Sequence, residues 1–201
     1  MIDRKIKSGD LLLIFLYSNG SKSDFNEPII GRTRLIKLLF IFTKEFYADF
    51  KKDNSIIEKE NLPEFFAWKF GPLSKDVLED LDFFTKIKFI KNKEIKGSIA
   101  FEEADEIISY LDDTSLDASI EDEYIEYSFS LSELGKKFVE EKKLFENLSD
   151  NQKEIIKQLK SKFNQSSLNE ILKYVYEKYP DFTTESIIKD NVLKSSCKPK
   201  I

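Results

Sequence analysis

An almost uninterrupted apolar segment near the N-terminus constrains the fold more than any other feature of this sequence. Residues 11–17 form a run of seven apolar side chains, which predicts a helix over residues 10–18, capped by Asp10 and apolar on nearly every side. Such a helix is stable only when it is buried among other elements. The run is also far shorter than the roughly 20 residues of a membrane-spanning helix. The sequence therefore predicts a globular protein built around this segment.

The composition excludes several classes of function. The chain has 201 residues and is 41% hydrophobic, which is enough for the core of one domain. It contains no histidine, so catalysis by Ser-His-Asp or Cys-His groups and zinc binding by imidazole are excluded. Its one cysteine, Cys197, can form no disulfide framework, which fits a reducing compartment. Because residues 1–10 also lack the cleavage site of a signal peptide, we expect a cytoplasmic protein without membrane association.

The formal net charge of -5 arises from one acidic segment. Residues 101–130 contain 11 acidic side chains and no Lys or Arg, whereas the other 171 residues carry a net charge of +6. The segment has two interpretations, an electrostatic attraction for a basic partner or a flexible solubilising loop. The first interpretation assigns partner-binding roles to Glu102, Glu103, Asp105, Glu106, Asp112 and Asp113.

The periodicity of the remaining sequence predicts a mainly α fold with a small β-hairpin. Apolar residues at helical spacing predict helices over residues 32–51 and 74–84. Alternating apolar and polar residues predict strands over 86–91 and 124–129. A further helix is expected to begin at the second strand's end and to continue to about residue 143.

Two capping boxes predict a C-terminal helical pair. Ser149 with Gln152, and Ser167 with Glu170, each precede an apolar pattern of helical period. Pro180 ends the second of these helices. We therefore expect three parts, namely a domain over residues 1–145 with an acidic insertion at about 93–122, the helical pair over 146–186, and a flexible tail over 187–201.

The order of helix, strand, hairpin, strand and helix is the layout of a winged helix. Residues 127–135, YSFSLSELG, resemble the phrase Y-x-L-T-x-x-G that follows the wing in many bacterial and archaeal winged-helix proteins. The next helix would begin either at Ser130, with Glu133 completing a capping box, or at Ser132. The acidic segment would then be an insertion in the wing. The alternative is an unrelated α+β domain with one β-hairpin.

Two phrases carry a closer resemblance. Residues 31–40, GRTRLIKLLF, precede residues 68–81, WKFGPLSKDVLEDL. Together they resemble the Panacea family, which is the SocA-like antitoxin domain with its related YwgA-type uncharacterised proteins. The family shares K-L-L-Y/F on an early helix and an aromatic-Gly-Pro-x-Ser phrase at the start of a later helix. The resemblance covers about residues 9–143, whereas the acidic insertion and the C-terminal helical pair depart from the family pattern.

The resemblance implies a mostly helical domain that is often encoded near toxin-antitoxin or phage-defence genes and that acts by binding a protein partner. Arg32, Arg34 and Lys37, together with Lys75 beside the Gly-Pro turn, are predicted to form one partner-binding face. The alternative for these cations is a solvated helix surface.

Charge disfavours DNA binding through the predicted third helix. Its outward positions are assigned to Asp76, Glu79, Asp80 and Asp82, against Lys75. Four carboxylates would repel phosphate, and an acidic wing would increase that repulsion. We therefore expect a non-enzymatic, antitoxin-like module that binds a protein such as a basic toxin. The alternative is a winged-helix transcription regulator.

No enzymatic chemistry is predicted from the motifs of this sequence. The spacing of the carboxylates does not match an EF-hand loop, and the six glycines form no phosphate-binding loop. We therefore expect no catalytic residue, no metal and no cofactor.

Overall fold

The computed structural model of the protein describes residues 6–22, 24–53, 57–96 and 125–194, and it confirms a mainly helical fold with a small β-hairpin. The first half contains α1 (Ser8–Tyr17), β1 (Ile29–Ile30), α2 (Arg32–Ile41), a π turn (Phe42–Phe46), α3 (Tyr47–Phe50), β2 (Phe66–Trp68), β3 (Gly71–Leu73) and α4 (Lys75–Lys86). The second contains β4 (Ile90–Lys96), β5 (Ile125–Leu131), α5 (Glu133–Glu141), α6 (Asp150–Gln165), α7 (Leu168–Lys178) and α8 (Lys189–Lys194). Short 3₁₀ turns lie at Lys59–Asn61 and Pro180–Thr183.

Helix α1 is buried along its length, as its apolar sequence predicts. Every residue from 9 to 16 is buried. The hydrophobic cluster that contains the apolar side chains of α1 also includes side chains of α2, α4 and α6. The helix begins at Ser8, so the prediction that Asp10 caps it was wrong. Asp10 instead lies in the first turn, where its carboxylate accepts the backbone N–H of Lys7 at 3.1 Å. A carboxylate in the first turn also interacts favourably with the helix dipole.

The second predicted helix has the expected extent but is not regular. It comprises α2, the π turn and α3 in immediate succession, and it ends at Phe50. The π turn widens the backbone at Phe42–Phe46 and carries Glu45. Such turns are rare in proteins, and those that do occur often lie at functional sites.

The three-stranded sheet has the order β1-β5-β4 and is antiparallel. The strand predicted at 86–91 was misplaced, because α4 continues to Lys86 and the chain then turns at Lys88, whose φ is 63°. Strand β4 starts at Ile90, opposite Leu131 of β5. It continues to Lys96, so residues 93–96 belong to the hairpin and not to an insertion.

Helix α5 begins after Ser132, not after Ser130. The Ser132 hydroxyl accepts the backbone N–H of Gly135 at 3.1 Å, whereas Ser130 belongs to β5. The proposed capping box of Ser130 with Glu133 was therefore wrong. The alternative cap, Ser132, is confirmed.

The C-terminal helices are confirmed, and they share the core of the rest of the chain. Both capping boxes form, at Ser149 and at Ser167. The buried apolar side chains of α6, with Ile171 and Val175 of α7, belong to the same cluster as those of α1 and α2, whereas Leu172 and Tyr176 of α7 form a second cluster with Val192 of α8. Within the expected tail, residues 189–194 form α8, and Val192 of this helix is buried with Leu172 and Tyr176 of α7. Within the described ranges, no helix is long and apolar enough to cross a membrane.

Candidate functional site

Lys37 does not belong to a partner-binding face, so this prediction was wrong. Its side chain is only 2% exposed. The Lys37 ammonium donates to the carbonyl oxygens of Phe70 and Pro72, each at 2.8 Å. Burial lowers the pKa of Lys37 to about 7. Lys37 therefore joins α2 to the β2–β3 hairpin.

The Arg34 guanidinium also forms hydrogen bonds to backbone carbonyls within the protein. Its Nε donates to the Ile30 carbonyl at 3.0 Å, and its Nη1 donates to the carbonyls of Phe163 and Ser166, the latter at 2.5 Å. These carbonyls lie at the end of α6, where backbone acceptors have no partner within the helix. The guanidinium therefore attaches the end of α6 to α2, and its role in partner binding stays a prediction.

Arg32 and Lys75 are exposed, but they do not complete the predicted face. Arg32 Nη2 lies 3.6 Å from Asp82 Oδ1 on α4. The Lys75 ammonium lies 5.9 Å from the ring centre of Phe66, which in turn contacts the ring of Trp68. The four predicted cations therefore have different environments. The predicted acidic partner-binding residues, Glu102, Glu103, Asp105, Glu106, Asp112 and Asp113, lie outside the described residues.

The exposed side of α4 forms the clearest candidate surface, which we call the α4 outer face and define as Asp76, Glu79, Asp82 and Phe83. The three acidic residues are exposed, and the Phe83 side chain is 55% exposed. Lys75 and Lys86, at the two ends of α4, are also exposed. The centre of this surface is therefore an aromatic ring among carboxylates.

Asp80 does not belong to the α4 outer face, contrary to the sequence-based assignment. Its carboxylate accepts the hydroxyl hydrogen of Ser8 at 2.9 Å, at the start of α1. Burial raises the pKa of Asp80, and the negative charges of Asp76, Asp10 and Glu79 raise it further. Over the part of the chain that the structure describes, no group of three or more His, Cys, Asp or Glu side chains could hold a metal ion.

A second polar cluster surrounds Glu45 in the π turn. Its carboxylate accepts hydrogen bonds from the Tyr174 and Tyr179 hydroxyls at 2.8 Å and from the Lys178 ammonium at 2.7 Å. Burial alone would raise the pKa of Glu45, but these three donors and the Lys178 charge outweigh it, so the pKa is lowered. Glu45 is therefore ionised at neutral pH and fixed in position.

The sequence-based predictions missed two polar residues. Glu45 lies in the hydrogen-bonded cluster just described, and Lys160 lies in the core. The Lys160 side chain is fully buried, and its ammonium donates to the carbonyls of Leu16 and Ser18 at the end of α1. Burial lowers the pKa of Lys160 to about 7, although the Glu27 carboxylate partly opposes this. Position 160 falls on the apolar face of α6, so its spacing could have indicated burial. The Glu45 cluster depends on residues about 130 positions away, so no local pattern indicates it.

Comparisons with protein-family models, with curated proteins and with solved structures found no match to this chain. The resemblance to the Panacea family therefore stays a prediction from the two sequence phrases.

Proposed function

We propose that this protein is a cytoplasmic, non-enzymatic protein-binding module that acts as an antitoxin-like component of a toxin-antitoxin or phage-defence system. Its partner is a basic protein that binds the α4 outer face. The observation that carries this proposal is the exposed Phe83 side chain beside the carboxylates of Glu79 and Asp82.

An exposed aromatic side chain among charges is suited to protein recognition. Aromatic residues that enter a pocket of the partner contribute a large share of the binding free energy. Carboxylates around such a residue attract a partner with complementary charge and disfavour other orientations. The α4 outer face therefore favours a partner with an apolar pocket surrounded by Lys or Arg.

The same surface disfavours the alternative function of a DNA-binding regulator. In the predicted winged-helix layout, α4 is the helix that would approach the DNA. A helix in that position normally presents donors to bases and cations to phosphates. Asp76, Glu79 and Asp82 offer neither. A protein partner is therefore the better-supported proposal.

The proposal is tested with a partner captured from cells that encode this chain and then purified. We expect one basic protein in stoichiometric amount. Phe83→Ala and Glu79→Lys should each weaken its affinity by about tenfold or more, measured by calorimetry. Phe25→Ala is the matched control for the first change, because Phe25 is 54% exposed but lies outside α4. Glu177→Lys, at an exposed position of α7, is the control for the second.

Two outcomes would contradict the proposal. One is a partner whose affinity is unchanged by both α4 substitutions but reduced by the control substitutions. The other is salt-dependent binding of duplex DNA at physiological ionic strength without a protein partner, which would favour the regulator.

A further inference from the structure

Four exposed residues of α4 form an ordered row on one side of the helix, which we call the α4 stripe and define as Asp76, Glu79, Phe83 and Lys86. They are spaced by three, four and three residues, so they lie above one another along the helix axis. The two acids lie toward the start of the helix and Lys86 lies at its end. The α4 stripe therefore has an acidic part and a basic part with an aromatic ring between them.

Glu79 and Lys86 carry the charges of the α4 stripe that another molecule can pair with. Within the described residues neither of them forms an ion pair, whereas Asp82, which lies beside the stripe, is 3.6 Å from Arg32. The exposed Lys88, in the turn that follows α4, adds positive charge at the basic end. The ring of Phe83 between these charges is 55% exposed.

The first turn of α4 contributes less charge to the stripe. The Asp76 carboxylate accepts the backbone N–H of Glu64 at 3.0 Å. Lys75, which precedes Asp76, directs its ammonium toward the β2–β3 hairpin, where it lies 5.9 Å from the ring centre of Phe66. The cation of Lys75 offsets the charge of Asp76, so the pairing capacity of the stripe comes from Glu79 and Lys86.

A second copy of α4 has the matching pattern when the two helices run antiparallel. Glu79 lies four residues before Phe83 and Lys86 lies three residues after it, which is about 6 and 4.5 Å along the helix axis. A two-fold axis at Phe83 therefore places Glu79 of each copy at the level of Lys86 of the other. The two Phe83 rings meet at the axis, and such aromatic contacts favour association.

We propose that a second copy of this chain packs its α4 antiparallel across Phe83 and forms a two-fold symmetric dimer. A parallel arrangement would place Glu79 beside Glu79 and Lys86 beside Lys86, and like charges would then repel. The contact depends mainly on one helix of 12 residues, so it is smaller than the interface of an obligate dimer. We therefore expect a dissociation constant of about 10–100 μM.

This inference concerns the chain alone and does not require the proposed protein partner. Its consequence for that partner does rest on the proposed function, since a dimer that covers Glu79 and Phe83 leaves only the monomer able to bind a basic protein. Lys86→Glu separates the two proposals. It should weaken the dimer, whereas the added negative charge should not weaken the binding of a basic partner.

Sedimentation velocity of the full-length chain from about 1 to 500 μM tests the dimer directly. We expect a reversible equilibrium between monomer and dimer in the wild type. Phe83→Ala should weaken the dimer by about tenfold or more. Phe25→Ala is the matched control, because Phe25 is 54% exposed and lies outside α4. A chain that stays monomeric up to about 500 μM, or equal dimer affinities in the two variants, would overturn the proposal.

Charge reversal tests the antiparallel arrangement. Glu79→Lys and Lys86→Glu each replace two attractive pairs by two repulsive ones, so each should weaken the dimer by about tenfold or more. The double variant has opposite charges across the axis again and should regain the wild-type constant within about threefold. Glu177→Lys, at an exposed position of α7, is the control for a change of net charge. Thermal unfolding verifies that every variant is folded. A double variant that dimerises as weakly as the single variants would overturn the proposal.

Discussion

The Lys37 ammonium lies 2.8 Å from the carbonyl oxygen of Pro72, so the two sequence phrases that resemble the Panacea family are in direct contact. The Phe70 carbonyl is the second acceptor of the same ammonium. A buried carbonyl without a donor costs free energy. Pro72 itself has no N–H, so its own backbone has only an acceptor to satisfy. A long cationic side chain on α2 meets that need, which is a structural reason for both phrases.

Burial of the Lys37 ammonium should make the stability of the protein depend on pH above neutrality. The unfolded lysine holds its proton up to about pH 10.5, whereas the pKa in the folded protein is about 7. Between these values the unfolded state binds more protons, so the free energy of unfolding rises with pH. From pH 7 to 9 the contribution of Lys37 is about 2 kcal/mol. Urea unfolding at both pH values should show a smaller rise in Lys37→Met than in the wild type.

The comparison is restricted to pH 9 and below because tyrosines act in the opposite direction. Burial and the Glu45 charge raise the pKa of Tyr179, so this residue lowers the stability above about pH 10. Lys69→Met, at an exposed position of the β2–β3 turn, is the matched control. The prediction is wrong if Lys37→Met and the control show the same rise.

The sequence predicts secondary-structure elements well where the interactions that define them lie within a few residues of one another. The capping boxes at Ser149 and Ser167 are confirmed because each involves residues only three positions apart. The strand at 86–91 was misplaced because an alternating pattern overlaps the last turn of α4, and only the packed structure decides where the helix ends. The burial of Lys37 was missed because its two acceptors lie 33 and 35 residues away.

Gly135 should not tolerate even a methyl group. A Cβ added at this position would lie 2.2 Å from the carbonyl oxygen of Phe89, a backbone atom that cannot move independently. The same carbonyl accepts the N–H of Ser132 at 2.9 Å, so the start of α5 is fixed against it. We expect Gly135→Ala to destabilise the protein by about 3 kcal/mol or more. Thermal unfolding measures this loss.

Gly9→Ala is the control for this prediction, because Gly9 also lies in a helix. An added Cβ there would meet the end of the Phe84 ring at 2.9 Å, and a side chain can shift more easily than the backbone. Helix propensity favours alanine over glycine by about 1 kcal/mol, which opposes the steric cost. Equal losses of stability in the two variants would show that the contact with Phe89 does not matter.

The Glu27 carboxylate should stabilise the turn after α1 above acidic pH. It accepts the backbone N–H groups of Gly20 and Lys22 at 2.9 Å, and the Ser21 hydroxyl and the Asn164 amide at 2.9 and 2.8 Å. Burial alone would raise the pKa of Glu27, but these donors outweigh it and lower the pKa. This stabilisation is present above the unfolded pKa of about 4.5 and is lost as the pH falls through the lower folded value.

Glu27→Gln should therefore destabilise the protein by about 1–3 kcal/mol at pH 7, because an amide offers one acceptor oxygen where the carboxylate offers two. The difference from the wild type should decrease toward pH 3, because below about pH 4.5 the unfolded wild-type chain binds a proton at this carboxyl that the folded state resists. Urea unfolding at both pH values measures it, with Glu177→Gln as an exposed control. A difference that stays constant with pH would mean that the charge of Glu27 contributes nothing.

Replacement of Glu45 should lower the pKa of Tyr179. Burial is the largest cause of the raised pKa of Tyr179, and the hydrogen bond to Glu45 and its charge are the next. In Glu45→Gln the burial remains, but the negative charge that opposes formation of a tyrosinate is removed. NMR titration of tyrosines labelled at Cζ measures the shift. Tyr47, whose hydroxyl donates to the Ile57 carbonyl, is the internal control and should titrate as in the wild type. An unchanged pKa of Tyr179 would show that burial alone sets it and that the cluster in the π turn has no electrostatic effect on its tyrosines.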